Sequence, residues 1–215
     1  MTRHRSMRPA LLLLSGALLV APGALTGCNS RPKIDLSQAM DAERRLRLAV
    51  ELNDRAAKHI EEGERAEAIA LYADSIKLRD DVAATWNNLG VLLMEQREYV
   101  DAVEAFKRAA DLAPTDPRPP TNAAIAYHRA GFDSDAMRYY EEALRRDERW
   151  LDALRGSAVS QMRLHRASLG AKRLVEQGLL VDPDPAWREV YERDLYRIER
   201  VLKTMAETEA ASEQG

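Results

Sequence analysis

Cysteine is all but missing from this chain of 215 residues, where Cys28 stands alone. A single thiol excludes an intramolecular disulfide and a thiolate metal cluster, so no redox role is expected and Cys28 must be explained by its surroundings. Aromatic residues make up only 6%, with two Phe, so any core has to rest on aliphatic and alanine side chains. Glycine is limited to 10 residues, and neither a phosphate-cradling glycine loop nor a nucleophile elbow occurs. Excess positive charge is lacking too: 32 Lys and Arg stand against 35 Asp and Glu, a net charge of −3, with no basic stripe interleaved with aromatics. No nucleic-acid partner is expected. Histidines 59, 128 and 165 are not paired at metal-ligand spacing, and the pairs Glu61-Glu62, Asp80-Asp81 and Glu141-Glu142 read as solvated surface. No catalytic residue, metal, cofactor or small-molecule substrate is therefore expected, and the chain is not read as an enzyme.

What is abundant is charge in both signs, 31%, beside 46% hydrophobic residues, the mixture that amphipathic helices use. From Ala83 to Gln96, Trp86, Leu89, Gly90 and Leu93 share one face at i, i+3, i+4, i+7. From Tyr99 to Leu112, Ala102, Phe106 and Ala109 do the same, and Pro114, which has no N–H to continue a helix, ends the second segment. Gly90 and Ala102 are small where the two helices must approach. Eight residues at these offsets resemble one tetratricopeptide repeat, a helix-turn-helix unit of 34 residues. Copies stand on either side, at 49–82 with Gly63, Ala68, Tyr72 and Ser75, and at 117–150 with Tyr127, Gly131, Ala136, Tyr140 and Ala143. A fourth, 152–185, keeps Ala158, Met162, Ala171, Val175, Gly178 and Pro183 in place after one extra residue near Leu151, which puts Met162 in the slot of His59, Leu93 and Tyr127. The resemblance implies an all-α solenoid of about four repeats over 37–185. The segment 37–62 reads as one long helix, Pro120 falls in the first turn of the third repeat, and the stripe Trp187, Tyr191, Leu195, Ile198, Leu202 and Met205 reads as a capping helix over 186–205. Residues 206–215 are polar and expected to be disordered.

Before the repeats, Arg3, Arg5 and Arg8 precede an apolar run, Ala10 to Val20, too short for the ~20 residues of a membrane span. Leu25-Thr26-Gly27-Cys28 then resembles the lipobox of bacterial lipoproteins. That resemblance implies a signal peptide over 1–27, a lipidated Cys28 as the first mature residue, and a tether over 28–36, where Asp35 and Gln38 have capping-box spacing. The leader holds 3 of the 32 basic residues and none of the 35 acidic ones, so a chain starting at Cys28 has a net charge of −6 and is held by acyl chains rather than by a basic patch. Asn29 is not acidic, which in such lipoproteins implies the outer membrane, facing the periplasm.

In the family, the first helix of each repeat lines a concave groove. Its inward slots carry Asn53 and Asp54 in the first repeat, Asn87, Asn88 and Val91 in the second, and Arg118, Asn122, Ile125 and Arg129 in the third. Asn88 and Asn122 share a slot, as in an asparagine ladder that grips an extended peptide, since a primary amide both donates to and accepts from a peptide unit. The carboxylate-clamp pattern is not met, because Asn53, Ala57 and Asn122 stand where lysine, asparagine and arginine are needed. The implied function is a membrane-anchored adaptor binding an extended segment of an unidentified protein in envelope assembly, with a pilotin-like lipoprotein for a pilus or secretion secretin as the alternative.

Overall fold

The computed structural model describes residues 36–213 of the chain, so the leader, Cys28, Asn29 and Asp35 lie outside the described residues. Among the described residues every regular element is a helix: α1 Leu36–Glu61, α2 Arg65–Leu78, α3 Ala83–Glu95, α4 Tyr99–Leu112, α5 Arg118–Arg129, α6 Asp133–Arg146, α7 Leu151–Arg163, α8 Leu169–Val181 and α9 Pro185–Glu213. Odd-numbered helices up to α7 are the first helices of four antiparallel pairs, and α9 covers the last.

The turn inside each pair is built the same way. Gly63, Arg97, Gly131 and His165 all have positive φ, between 51° and 85°, and they recur every 34 residues. Each donates its N–H three residues back, to Ile60, Met94, His128 and Met162, and the next residue donates five back, to His59, Leu93, Tyr127 and Gln161. This is the Schellman closure of a helix C-terminus. The strict period therefore runs through His165, and the extra residue of the fourth repeat lies after it, in the turn before α8, rather than near Leu151. The slot of His59, Leu93 and Tyr127 is accordingly filled by Gln161, not Met162. The longer turn is finished by Ser168, whose Oγ accepts from the Ala171 N–H at 3.1 Å and caps α8.

Three aromatic rings fix the helix spacing. Phe106, Tyr140 and Tyr191 are 2% exposed or less, and they lie against Gly90, Gly156 and Gly178, where a Cβ would come within 2.2–2.8 Å of a ring carbon. Around them the core is mostly alanine, with Ala102, Ala109, Ala123, Ala136, Ala143 and Ala158 at or near zero exposure. Polar side chains then close helix ends that alanine leaves bare. Arg146 of α6 reaches back to the end of α4, where Nη1 donates to the carbonyls of Ala113 at 3.0 Å and Asp116 at 2.9 Å while Nη2 holds Glu142 at 2.6 Å.

The last helix departs from expectation. Its stripe buries Tyr191 and Ile198 on Ala158, Ala171 and Val175, and Asp194 joins them at 1% exposure, but Met205 is 51% exposed and the helix runs on to Glu213 instead of giving way to a disordered tail. Local terms account for the extension: Lys203 pairs with Glu207, and Ala206, Ala210 and Ala211 are strong helix formers, while the hydroxyls of Thr204 and Thr208 satisfy themselves on the carbonyls four residues back. No helix among the described residues is long and apolar enough to cross a membrane.

Candidate functional site

Helices α3 and α5, α5 and α7, and α7 and α9 touch directly, whereas the second helices of successive repeats make no comparable contact among the described residues. The first helices are thus the closer-spaced layer, and the array curves around them. Their exposed slots form the inner face.

Two asparagine contacts cross from repeat to repeat on this face. Asn53 Nδ2 donates to Thr85 Oγ1 at 2.7 Å, and Asn122 Nδ2 donates to Asn87 Oδ1 at 2.9 Å. Asn122, which shares its repeat slot with Asn88, is thereby tied to the neighbouring Asn87 and has one N–H and its Oδ1 without a side-chain partner among the described residues. Asn88 is exposed and near the Tyr72 hydroxyl, whose pKa burial raises and Asn88 lowers in part. Between α3 and α5 a recess of ≈ 300 Å³ gathers Asn87, Asn88 and Arg118, with Ala84, Asp116 and Pro119 completing its wall. Arg118 donates to Asp116 through Nε at 2.9 Å and Nη2 at 2.7 Å, which holds the Asp116 carboxyl below its usual range. Its side chain remains 68% exposed, so the guanidinium is open to solvent on its other edge. Val91 and Ile125 are half-buried against the α3–α5 core, while Asp54 and Arg129 are exposed. Arg129 has no carboxylate partner among the described residues. The structure therefore brings Asn87, Asn88 and Arg118 to one recess and leaves Asn53 and Asp54 outside it.

Sequence reasoning missed a polar network one repeat further on. Asp133, in a buried position at the start of α6, accepts from His128 Nδ1 at 2.6 Å and pairs with Arg163 Nε at 3.1 Å, and Ser160 Oγ lies 3.3 Å from the same Nδ1. A serine, a histidine and an aspartate thus meet, yet both contacts fall on one ring nitrogen and Ser160 is fully buried. A hydrolytic relay needs the nucleophile and the carboxylate on different nitrogens and a reachable hydroxyl, so this is a packing network. No local motif reveals it, since its members lie on three helices. Among the described residues, His59, Glu62 and Glu64 also converge, with ligand atoms within 4.8 Å of one another. His59 Nδ1 already holds Glu64 at 2.5 Å and both carboxylates are largely solvated, an arrangement that closes the α1–α2 turn.

Residues 83–116 match the model of the tetratricopeptide repeat family. The fold is that of a tetratricopeptide-repeat solenoid. The array is similar to the photosystem I assembly protein Ycf3 of Synechococcus sp. (strain CC9311), 29% identical over 109 residues, 48% of this chain and 60% of that protein. The chain thus spans about three fifths of the length of that relative. Two crystal structures of MamA share the fold of this tetratricopeptide-repeat array at 16% identity: one has a TM-score of 0.56 over 71% of this chain and 96% of that one, the other 0.59 over 73% and 91%.

Proposed function

We propose that this protein is a membrane-anchored adaptor whose inner face holds an extended segment of a partner protein during assembly of an envelope complex. The observation that carries the reading is the recess between α3 and α5. There the Asn87 and Asn88 amides suit a peptide backbone of any sequence, the exposed Arg118 suits a carboxylate, and Ala84 and Pro119 supply apolar wall. The similarity to a protein named for the assembly of photosystem I supports the general role. The anchor rests on Leu25-Thr26-Gly27-Cys28, and two or three acyl chains at about 0.8 kcal/mol per buried methylene hold such a chain in a bilayer without a basic patch.

The test of the groove is a photo-crosslinking amino acid placed at Asn88 in the membrane-bound chain, with Lys107 on the outer face of α4 as control. Crosslinks to one partner are expected from position 88 and not from 107. Asn88→Ala combined with Arg118→Ala should weaken capture of that partner about tenfold, because each lost hydrogen bond costs roughly 0.5–1.5 kcal/mol. Its melting temperature should stay near that of the wild type, since exposed pairs contribute little. Crosslinks confined to position 107 would place the partner on the other face. The anchor is tested separately: Cys28→Ser should abolish incorporation of labelled palmitate and leave the precursor uncleaved, and normal maturation of that variant would end the lipoprotein reading.

A further inference from the structure

In the third repeat the cleft between its two helices, on the outer side of the array, is filled by Tyr127 of α5 stacked on Tyr139 of α6, with ring centroids 5.3 Å apart and planes 22° apart. The period of 34 carries Tyr127 to Gln161 of α7, and the extra residue before α8 carries Tyr139 to Leu174, so neither position holds a ring. Where the tyrosine pair would lie there is instead a cavity of ≈ 380 Å³, bounded by α6, α7, α8 and the lengthened turn. Its apolar wall is Met137 and Leu174, its polar wall is Gln161, and Arg166 and Arg173 stand at its mouth, with Glu141 opposite.

Two independent features point to an occupant. Gln161 is fully buried, and its Nε2 is committed to Asp194 at 2.9 Å, which leaves Oε1 as a buried acceptor with no donor. A buried acceptor left without a donor is destabilising, so a donor entering the cleft is favoured there. The mouth, meanwhile, carries two guanidinium groups against one carboxylate, and neither Arg166 nor Arg173 has a carboxylate partner among the described residues. Beside it, Leu169 is 69% exposed at the start of α8.

We propose that this outer cleft takes a tyrosine side chain from an acidic segment of a partner protein. The ring fills the space that the repeat-three pair occupies, its O–H donates to Gln161 Oε1, and flanking carboxylates meet Arg166 and Arg173. The site lies on a different face from the groove, so it adds a second contact to the adaptor and does not depend on the first.

The test uses the full chain in detergent and a fluorescent, acetylated and amidated peptide with one tyrosine between pairs of glutamates, read by anisotropy. Saturable binding is expected, with a phenylalanine version about threefold to tenfold weaker, the range of a single hydrogen bond. Arg166→Glu and Arg173→Glu should each weaken binding at least about fivefold, as a reversed charge at a complementary mouth does. Gln161→Leu, which installs the residue type that the second repeat carries at Leu93, should remove the preference for tyrosine over phenylalanine while the protein still melts cooperatively. Gln161→Tyr with Leu174→Tyr should refill the cleft and block the peptide. The groove variant Asn88→Ala with Arg118→Ala should bind it as the wild type does. Absence of saturable binding, binding indifferent to Arg173→Glu, or equal affinity for both peptides in the wild type would overturn the proposal. Loss of binding in the groove variant alone would place the peptide on the inner face, which sinks this site and leaves the groove reading intact.

Discussion

Gly156→Ala should lower the melting temperature by roughly 6–12 °C, although it adds one methyl to a helix. At Gly156 a Cβ would lie 2.2 Å from Tyr140 Cζ and 2.4 Å from Cε1 and Oη. The ring cannot move aside, because Tyr140 is 2% exposed and packed among Ala124, Ala136, Ala143 and Ala153. Either α7 shifts away from α6 or the ring leaves its well, and overpacking of this kind costs about 1–3 kcal/mol, at or above its upper end for so deep an overlap. For a chain of this size each kcal/mol is worth about 2–4 °C. Gly170→Ala is the matching control in the same repeat, since its Cβ meets only Ser168 Oγ, at 3.7 Å. There alanine gains the usual helical advantage over glycine, about 0.5–1 kcal/mol, and the melting temperature should rise. Calorimetry of the two variants reads opposite signs if ring contact, not glycine itself, matters. A Gly156→Ala protein that melts like the wild type would mean that the α6–α7 spacing is looser than described. Tyr140→Leu in the Gly156→Ala background should recover part of the loss, because it removes the atoms that clash.

The contact of Gly90 with Phe106 is legible in the sequence, since both stand at repeat positions whose size follows from helix approach. Gly156 against Tyr140 is not, because it joins neighbouring repeats and the fourth repeat is out of register in any alignment that follows its better-matching half. Ala171, Val175 and Gly178 draw the alignment one residue forward, and the shift is then assigned to the start of the repeat. The turn residues carry the correct information as backbone geometry: positive φ recurs at 63, 97, 131 and 165, but two of the four are Arg97 and His165, so residue type conceals it. The groove shows the same limit. The inner slots are readable from helical spacing, but whether Asn122 reaches Asn87 or stands free depends on how one repeat is rotated on the next, and no pattern along the chain encodes that angle. The helix past Met205 is hidden for a different reason, since its side chains are exposed among the described residues and its polar composition is shared by helices and tails alike.

Asp182→Asn should loosen the cap formed by α9 and lower the melting temperature by roughly 5–10 °C at neutral pH. The Asp182 carboxylate is fully buried at the end of α8, where Arg155 of α7 holds it through Nε at 2.7 Å and Nη2 at 2.8 Å. The Asp184 N–H donates to it at 3.1 Å and the Tyr191 hydroxyl at 3.4 Å, and the same guanidinium lies 5.3 Å from the centre of the Trp187 ring. One carboxylate thus joins the last repeat to its cap. Breaking a buried pair costs about 3–5 kcal/mol. Here Arg155 is 28% exposed and keeps Asp184 at 3.5 Å, which puts the loss nearer 2–3 kcal/mol. The Arg155 guanidinium is also the main reason that the Asp182 carboxyl lies below the usual carboxylate range. A folded-state pKa depressed below the unfolded value of about 3.9 contributes stability that is complete above that value and is lost as pH falls through the folded one. The gap between wild type and Asp182→Asn should therefore be constant from pH 7 down to about pH 5 and close below about pH 4, as the wild type protonates the carboxyl that the variant lacks. Thermal melts of both proteins across that range measure it, and a gap that persists unchanged below pH 3 would mean that the loss comes from packing of the side chain and not from its charge.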